Sequence, residues 1–155
     1  MAEPAGGRGS RRLGLTITRV LGAPPERVWR EWTEPAAFAD WFGGPEAEVP
    51  LDTVAMDVRP GGAWRATMLY GGSEIRWKGE YVEVDPPRRL VLSITDQPDD
   101  APHELVVVAL RDLGDGRTEM VVEQHGTLPP EAYEATRTGW GAFLDRMAER
   151  LEAAS

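Results

Sequence analysis

The sequence predicts an α+β domain in which a curved antiparallel sheet of seven strands packs against one long C-terminal helix. Three observations support this prediction: an opening strand precedes two short helical patterns, residues 53–125 alternate with period two, and the chain after Pro129 has helical periodicity. No repeat, low-complexity block or internal linker indicates a second domain. We therefore expect a disordered tail over residues 1–12 and a single domain over residues 13–153.

The opening strand is predicted over residues 13–21, where apolar side chains alternate with Gly and Thr before a Gly-Ala-Pro-Pro break. Pro25 suits the first turn of a helix, which ends before Pro35. A second short helix is predicted from there until a Gly-Gly-Pro sequence ends it.

Turn clusters divide the middle segment into six strands, which short connections join as an antiparallel meander. Alternation places Trp64, Met68 and Tyr70 on one face of a strand. It places Trp77 and Tyr81 on one face of the next strand. Beyond Tyr81 the alternation slips, which predicts either a β-bulge or a strand that is covered on both faces near its end.

The last helix is predicted to run for about 23 residues, a length of roughly 35 Å at 1.5 Å per residue. Its apolar side chains step by three or four, and most of its charged side chains lie on the opposite side. The apolar stripe consists of Tyr133, Thr136, Trp140, Phe143, Leu144, Met147 and Leu151. Packing this stripe against the apolar face of the sheet would bury both.

The composition excludes several functional classes. The chain has 155 residues, a formal net charge of −9 and no cysteine, which excludes disulfide frameworks, thiolate zinc sites and cysteine nucleophiles. The acidic excess argues against nucleic acid and anionic membranes as partners, because clustered Lys and Arg bind both. No apolar run is long enough to insert in a membrane, and the N-terminus lacks the apolar centre of a secretory signal, so we expect a cytoplasmic protein.

The aromatic residues favour a binding site. The chain has 6 Trp beside 3 Tyr and 3 Phe, and large rings with polar edges are typical of small-molecule cavities as well as of ordinary cores. Gly79 lies between Trp77 and Tyr81 on the same face. It would either leave space for a ligand or let the last helix approach closely, and both interpretations remain open at this stage.

Catalytic and metal-binding motifs are weak. The sequence has no HExxH, GxSxG, Walker or GxGxxG pattern. Glu123 and His125 lie on one side of a strand and could form an acid/base set with Tyr81. However, Met120 and Val122 assign the opposite face of that strand to the core, so we expect Glu123 and His125 to face solvent. The sequence therefore predicts no catalytic residue, no metal site and no cofactor.

Five short motifs within residues 13–153 have the spacing of a known family. They are Ala23-Pro24-Pro25-Glu26-Arg27-Val28-Trp29, Trp32-Thr33-Glu34-Pro35 with Trp41-Phe42, Pro60-Gly61-Gly62-Ala63-Trp64, the segment from Gly79 to Leu90, and Gly139-Trp140 with Leu144. In these motifs and in its order of elements, the chain resembles the START-like (SRPBCC, Bet v 1-like) helix-grip superfamily. More narrowly, it resembles the activator of Hsp90 ATPase homologue 1-like C-terminal domain family.

This resemblance implies a sheet wrapped around the C-terminal helix, with an internal cavity for apolar ligands such as lipids, polyketides or hormones. The residues expected to bind the ligand are Trp41, Phe42, Trp64, Met68, Tyr70, Trp77, Tyr81, Trp140, Phe143 and Met147. Within this set, Trp41 and Phe42 would act as a gate. Trp29 and Trp32 are expected to be structural.

The leading hypothesis is a carrier or sensor that binds a small hydrophobic or aromatic ligand. Members of the resembled family range from carriers and sensors to aromatic cyclases and co-chaperone domains, so the alternatives are a polyketide cyclase or hydrolase and an Hsp90-linked, stress-response interaction domain. Binding is favoured over catalysis. An Hsp90 partner is doubtful, because the eukaryotic activator uses a separate N-terminal domain that this chain is expected to lack. Edge strands of the meander leave a homodimer open.

Overall fold

The computed structural model describes residues 13–97 and 103–153. The tail expected over residues 1–12 lies outside the described residues. Within the described ranges, no helix combines the length and the apolar character needed to cross a membrane.

Over the described residues, seven strands and three α-helices form the fold. The strands are β1 Leu13–Leu21, β2 Ala55–Met56, β3 Ala63–Tyr70, β4 Ser73–Asp85, β5 Arg89–Ile94, β6 Glu104–Gly114 and β7 Arg117–Gly126. The helices are α1 Pro25–Thr33, α2 Pro35–Trp41 and α3 Pro130–Ala153, with 3₁₀ turns at Gly44–Glu46 and Leu51–Thr53. The sheet is antiparallel in the order β1-β7-β6-β5-β4-β3-β2. The predicted α+β helix-grip layout is confirmed.

The middle of β4 is irregular at two neighbouring places. Its pairing with β5 shifts register between Tyr81 and Glu83, which confirms the predicted bulge, and a bulge bends the strand that contains it. At Gly79, a Cβ atom would lie 1.8 Å from the carbonyl oxygen of Ser93 and 2.6 Å from Nε1 of Trp64. The sequence predicted either a ligand or the last helix beside Gly79. Instead, the backbone of β5 and the Trp64 indole occupy the space where a side chain at position 79 would lie.

The inner face of the sheet packs against α3, as the apolar stripe predicted. Leu144 and Met147 of the helix are completely buried, and so are Met120 and Val122 of β7. Apolar burial of this kind is the main stabilising contribution in a domain of this size. One end of the space between sheet and helix is filled in this way, and the other end is not.

One arginine links the three helices. Arg150 of α3 donates hydrogen bonds from Nε and Nη2 to the two carboxylate oxygens of Glu31 in α1, at 2.9 and 3.2 Å. The same guanidinium pairs with Asp40 of α2. The hydrogen bond to Glu31 raises the pKa of Arg150, against the opposing effect of desolvation. Because Glu31 is only 6% exposed, loss of Arg150 would leave a buried carboxylate without its charge partner.

Candidate functional site

A cavity of about 480 Å³ lies between the sheet and the N-terminal half of α3. It opens where β5 ends, β6 begins and β7 ends. Its apolar lining consists of Phe42, Trp77, Ile94, Leu128, Trp140 and Phe143. Its polar lining includes Asp96, Gln97, Glu104, Gln124, Thr127 and Thr136. A mostly apolar cavity with a few converging polar groups is typical of small-molecule sites, which span about 300–1,000 Å³.

Aromatic rings in edge-to-face contact form the apolar wall. The Phe42 ring lies 6.2 Å from the Trp77 ring and 5.4 Å from the Phe143 ring, centroid to centroid. The Trp140 and Phe143 rings are 5.7 Å apart. Such contacts fix the orientations of the rings in this wall.

A chain of hydrogen bonds forms the polar end of the cavity. Trp140 Nε1 donates to Gln124 Oε1 at 2.8 Å, and Gln124 Nε2 donates to Glu104 Oε1 at 3.2 Å. The Tyr133 hydroxyl also donates to Glu104 Oε1, at 2.7 Å, and the backbone N–H of Thr127 donates to Oε2 at 3.0 Å. The Glu104 carboxylate is therefore held by three donors from β7, the following loop and α3.

Gly126 makes room for this carboxylate. A Cβ atom at position 126 would lie 1.7 Å from Oε2 of Glu104 and 2.2 Å from its Cδ. Glycine at the last residue of β7 thus allows the first residue of β6 to place its carboxylate against the neighbouring strand.

Four of the ten residues predicted to bind a ligand line the cavity: Phe42, Trp77, Trp140 and Phe143. Five others are buried in the packed part of the interior and do not belong to the lining: Trp41, Trp64, Met68, Tyr81 and Met147. Tyr70 lies at the end of β3 with 49% of its surface exposed. Tyr70 is two residues after Met68 in the same strand, but it does not belong to the cavity lining.

The two residues predicted as a gate occupy different positions. Trp41 is completely buried and donates its indole N–H to the backbone oxygen of Glu31 at 2.8 Å, which fixes it as part of the packed interior. Phe42 is the next residue and contributes to the cavity wall. Trp32 is buried, as expected of a structural residue, whereas Trp29 is only partly buried.

Sequence reasoning missed the residues of the polar end. Gln124 carried a signal, because it continues the apolar face of Met120 and Val122 and a polar residue on a core face needs a partner. Glu104 had no such signal in the sequence, because its partners Tyr133 and Thr127 lie more than 20 positions further along the chain.

The acid/base candidates do not converge. Glu123 and His125 lie on the outer face of β7, where Nε2 of His125 is 2.9 Å from Oε1 of Glu123 and both side chains are partly exposed. Tyr81 is buried on the inner face. Burial raises the pKa of Tyr81, and the charge of Asp57 raises it further. Over the described ranges, no group of three or more His, Asp and Glu side chains is gathered as a metal site would require.

Comparison with known protein families identifies one family that matches most of this chain. The sequence model described as activator of Hsp90 ATPase homolog 1-like protein matches residues 22–152. This chain belongs to that family. The fold of this family commonly binds hydrophobic ligands.

Solved structures similar to this family member come from several bacteria. A protein from Chromobacterium violaceum is 30% identical with a TM-score of 0.77, over 90% of this chain and 97% of that one. The AHSA1 protein of Silicibacter pomeroyi is 20% identical with a TM-score of 0.82, over 92% and 100% of the two chains. CalU16 from Micromonospora echinospora is 25% identical with a TM-score of 0.64, over 88% and 74%. Among curated proteins, none matches.

Proposed function

We propose that this protein binds a small hydrophobic or aromatic ligand in the cavity between the sheet and α3, as a carrier or sensor. The observation that carries the proposal is the cavity itself: about 480 Å³ of space whose apolar lining includes four aromatic side chains. Leaving such space unfilled lowers the stability of a folded domain, because the lining loses packing partners. Occupation by an apolar molecule would restore those contacts.

The polar end supports recognition of a ligand with a polar group. Gln124 and Glu104 are held in place by their hydrogen bonds, so a ligand would meet fixed groups instead of flexible ones. Fixed groups lose little conformational entropy when they bind.

Filling the cavity tests this proposal. Gly139 belongs to the lining, and a Cβ atom added there would meet no heavy atom within 4 Å. Gly139→Phe should therefore occupy the cavity with little strain, and it replaces the poorest helix former apart from proline. Thr138→Phe is the matched control, because Thr138 is the neighbouring residue and is exposed.

The measurement is the fluorescence of N-phenyl-1-naphthylamine, an uncharged apolar probe. We expect saturable binding to the wild type and to Thr138→Phe, and at least ~10-fold weaker binding to Gly139→Phe, since the probe and the new ring need the same space. Equal binding to all three proteins, or none to the wild type, would reject the proposal.

A further inference from the structure

The charged groups that line the cavity all have one sign. Asp96 lies at the mouth, where it is exposed, and Glu104 lies at the polar end. Among the described residues, no Lys, Arg or His contributes to the lining. The threonine hydroxyls can donate or accept, so the two carboxylates determine which head groups the cavity favours.

Glu104 retains the capacity to accept another hydrogen bond. A carboxylate offers about four acceptor positions, and three of them are used by Tyr133, Gln124 and the N–H of Thr127. The donors closest to it are engaged in the network, because the Tyr133 hydroxyl donates to Glu104 and the Trp140 indole donates to Gln124. A ligand that reaches this end would therefore meet an acceptor.

We propose that the ligand of this cavity carries a hydrogen-bond donor, as a hydroxyl or an ammonium group, which binds Glu104, and that the cavity discriminates against carboxylates. This inference rests on the proposed function, since it describes the head group of the same ligand. Its physical cause is electrostatic: a second carboxylate beside Glu104 would have no cation to offset the repulsion, at a place partly shielded from water.

Four ligands with the same ten-carbon chain separate charge from hydrogen bonding. Decan-1-ol and decylammonium carry a donor, decyltrimethylammonium carries a charge without a donor, and decanoate carries the opposite charge. Their affinities are measured at pH 7 by displacement of N-phenyl-1-naphthylamine, below the concentrations at which they aggregate. We expect decylammonium to bind at least ~10-fold more tightly than decanoate, and more tightly than decyltrimethylammonium.

The Glu104→Gln variant tests whether Glu104 causes the preference for decylammonium over decanoate. The variant retains the shape and removes the charge, so the ratio of decylammonium to decanoate affinity should fall by ~10-fold. Glu123→Gln is the matched control, because it makes the same change on the outer face of β7 and should leave the ratio unchanged. If Glu104→Gln does not fold, Gly126→Ala provides a second variant, since its Cβ would displace the Glu104 carboxylate without changing the net charge.

The outcomes separate this inference from the proposed function. If the neutral probe binds the wild type but not Gly139→Phe, the cavity is a binding site. In that case, decanoate binding as tightly as decylammonium overturns the inference about the head group and leaves the proposed function intact. A discrimination that persists unchanged in Glu104→Gln and in Gly126→Ala overturns it as well. Failure of the neutral probe to bind rejects both.

Discussion

Two aromatic regions share the interior of this protein, and they differ in how completely their polar atoms are paired. The packed region consists of Trp32, Trp41, Phe38 and Trp64, and in this order each ring centroid lies 4.8–5.9 Å from the next. Its three indole nitrogens all have acceptors. The cavity region consists of Phe42, Trp77, Trp140 and Phe143. There, Nε1 of Trp77 is the one buried side-chain polar atom of the described residues that has no hydrogen-bond partner.

This difference in hydrogen bonding and packing indicates that tryptophan side chains have two roles in this fold, one in stability and one in the cavity wall. In the packed region, each ring is surrounded and its N–H is paired, so the ring contributes chiefly to stability. In the cavity region, the rings have neighbours on one side and open space on the other, so they contribute less to stability and are available to a ligand.

Trp41→Ala should have the largest effect on stability. Trp41 is completely buried and hydrogen-bonded to the backbone of Glu31, so its removal leaves a cavity and an unpaired carbonyl. We expect the free energy of unfolding, measured with urea, to fall by ~3–5 kcal/mol. Trp29→Ala is the comparison, because Trp29 is only partly buried and should lose clearly less. Equal losses would show that burial does not distinguish these two rings.

Gly79→Ala tests the close contact of Gly79 with the Trp64 indole and the backbone of Ser93. The added Cβ would overlap the backbone oxygen of Ser93, and backbone atoms of a paired strand cannot move away cheaply. We expect a loss of ~3 kcal/mol in unfolding free energy. Gly22→Ala is the control, because its Cβ would meet no heavy atom within 4 Å, and its effect should remain within ~1 kcal/mol. If Gly79→Ala were as stable as the control, the packed region would be more adaptable than its contacts indicate.

Tyr81→Phe tests the packed region through pH. Burial raises the pKa of Tyr81, so the unfolded chain loses this proton first, near pH 10. The contribution of Tyr81 to stability is therefore complete below about pH 10 and is lost as pH rises above it, by up to ~1.4 kcal/mol per pH unit.

Unfolding by urea at several pH values between 9 and 11.5 measures this slope. We expect the slope of Tyr81→Phe to be smaller than that of the wild type, because the variant lacks the buried hydroxyl. Identical slopes in Tyr81→Phe and wild type would mean that Tyr81 ionises in the folded protein as easily as in the unfolded one.

Trp77→Ala should have the smallest effect on stability and a clear effect on binding. The truncation removes ring contacts, but it also removes a buried N–H that lacks a partner, and the two effects oppose each other. We expect a loss below ~2 kcal/mol in unfolding free energy, together with ~10-fold weaker binding of N-phenyl-1-naphthylamine. A loss as large as that of Trp41→Ala with unchanged probe affinity would remove the distinction between the two regions.

The fold was predictable because its signals are local. Pro25, Pro35 and the glycines after α2 limit the helices, and alternation with turn clusters gives the strands of the meander. The β-bulge after Tyr81 was visible as a slip in that alternation and is present in the pairing with β5.

The site was predictable only in part, because alternation gives the face of a side chain and not its depth. Trp64 and Met68 lie on the inner face as predicted, but neighbouring side chains cover them, whereas Tyr70 lies beyond the covered part of β3. The Gly79 contact depends on the backbone of another strand, and the position of Glu104 depends on Gly126. Close approaches of this kind arise from the tertiary arrangement and leave no periodic signal in the sequence.

The pairing of β1 with β7 also determines when this domain can close during synthesis. β1 lies at the edge of the described sheet, and the residues that it pairs with in β7 are roughly 100 positions further along the chain. Contacts across such a separation form late, because loop-closure entropy must be overcome first. A chain truncated before Arg117 should therefore remain sensitive to protease in β1, and one that continues through α3 should be protected. Among the described strands, β1 would emerge first and would be one of the last to pair.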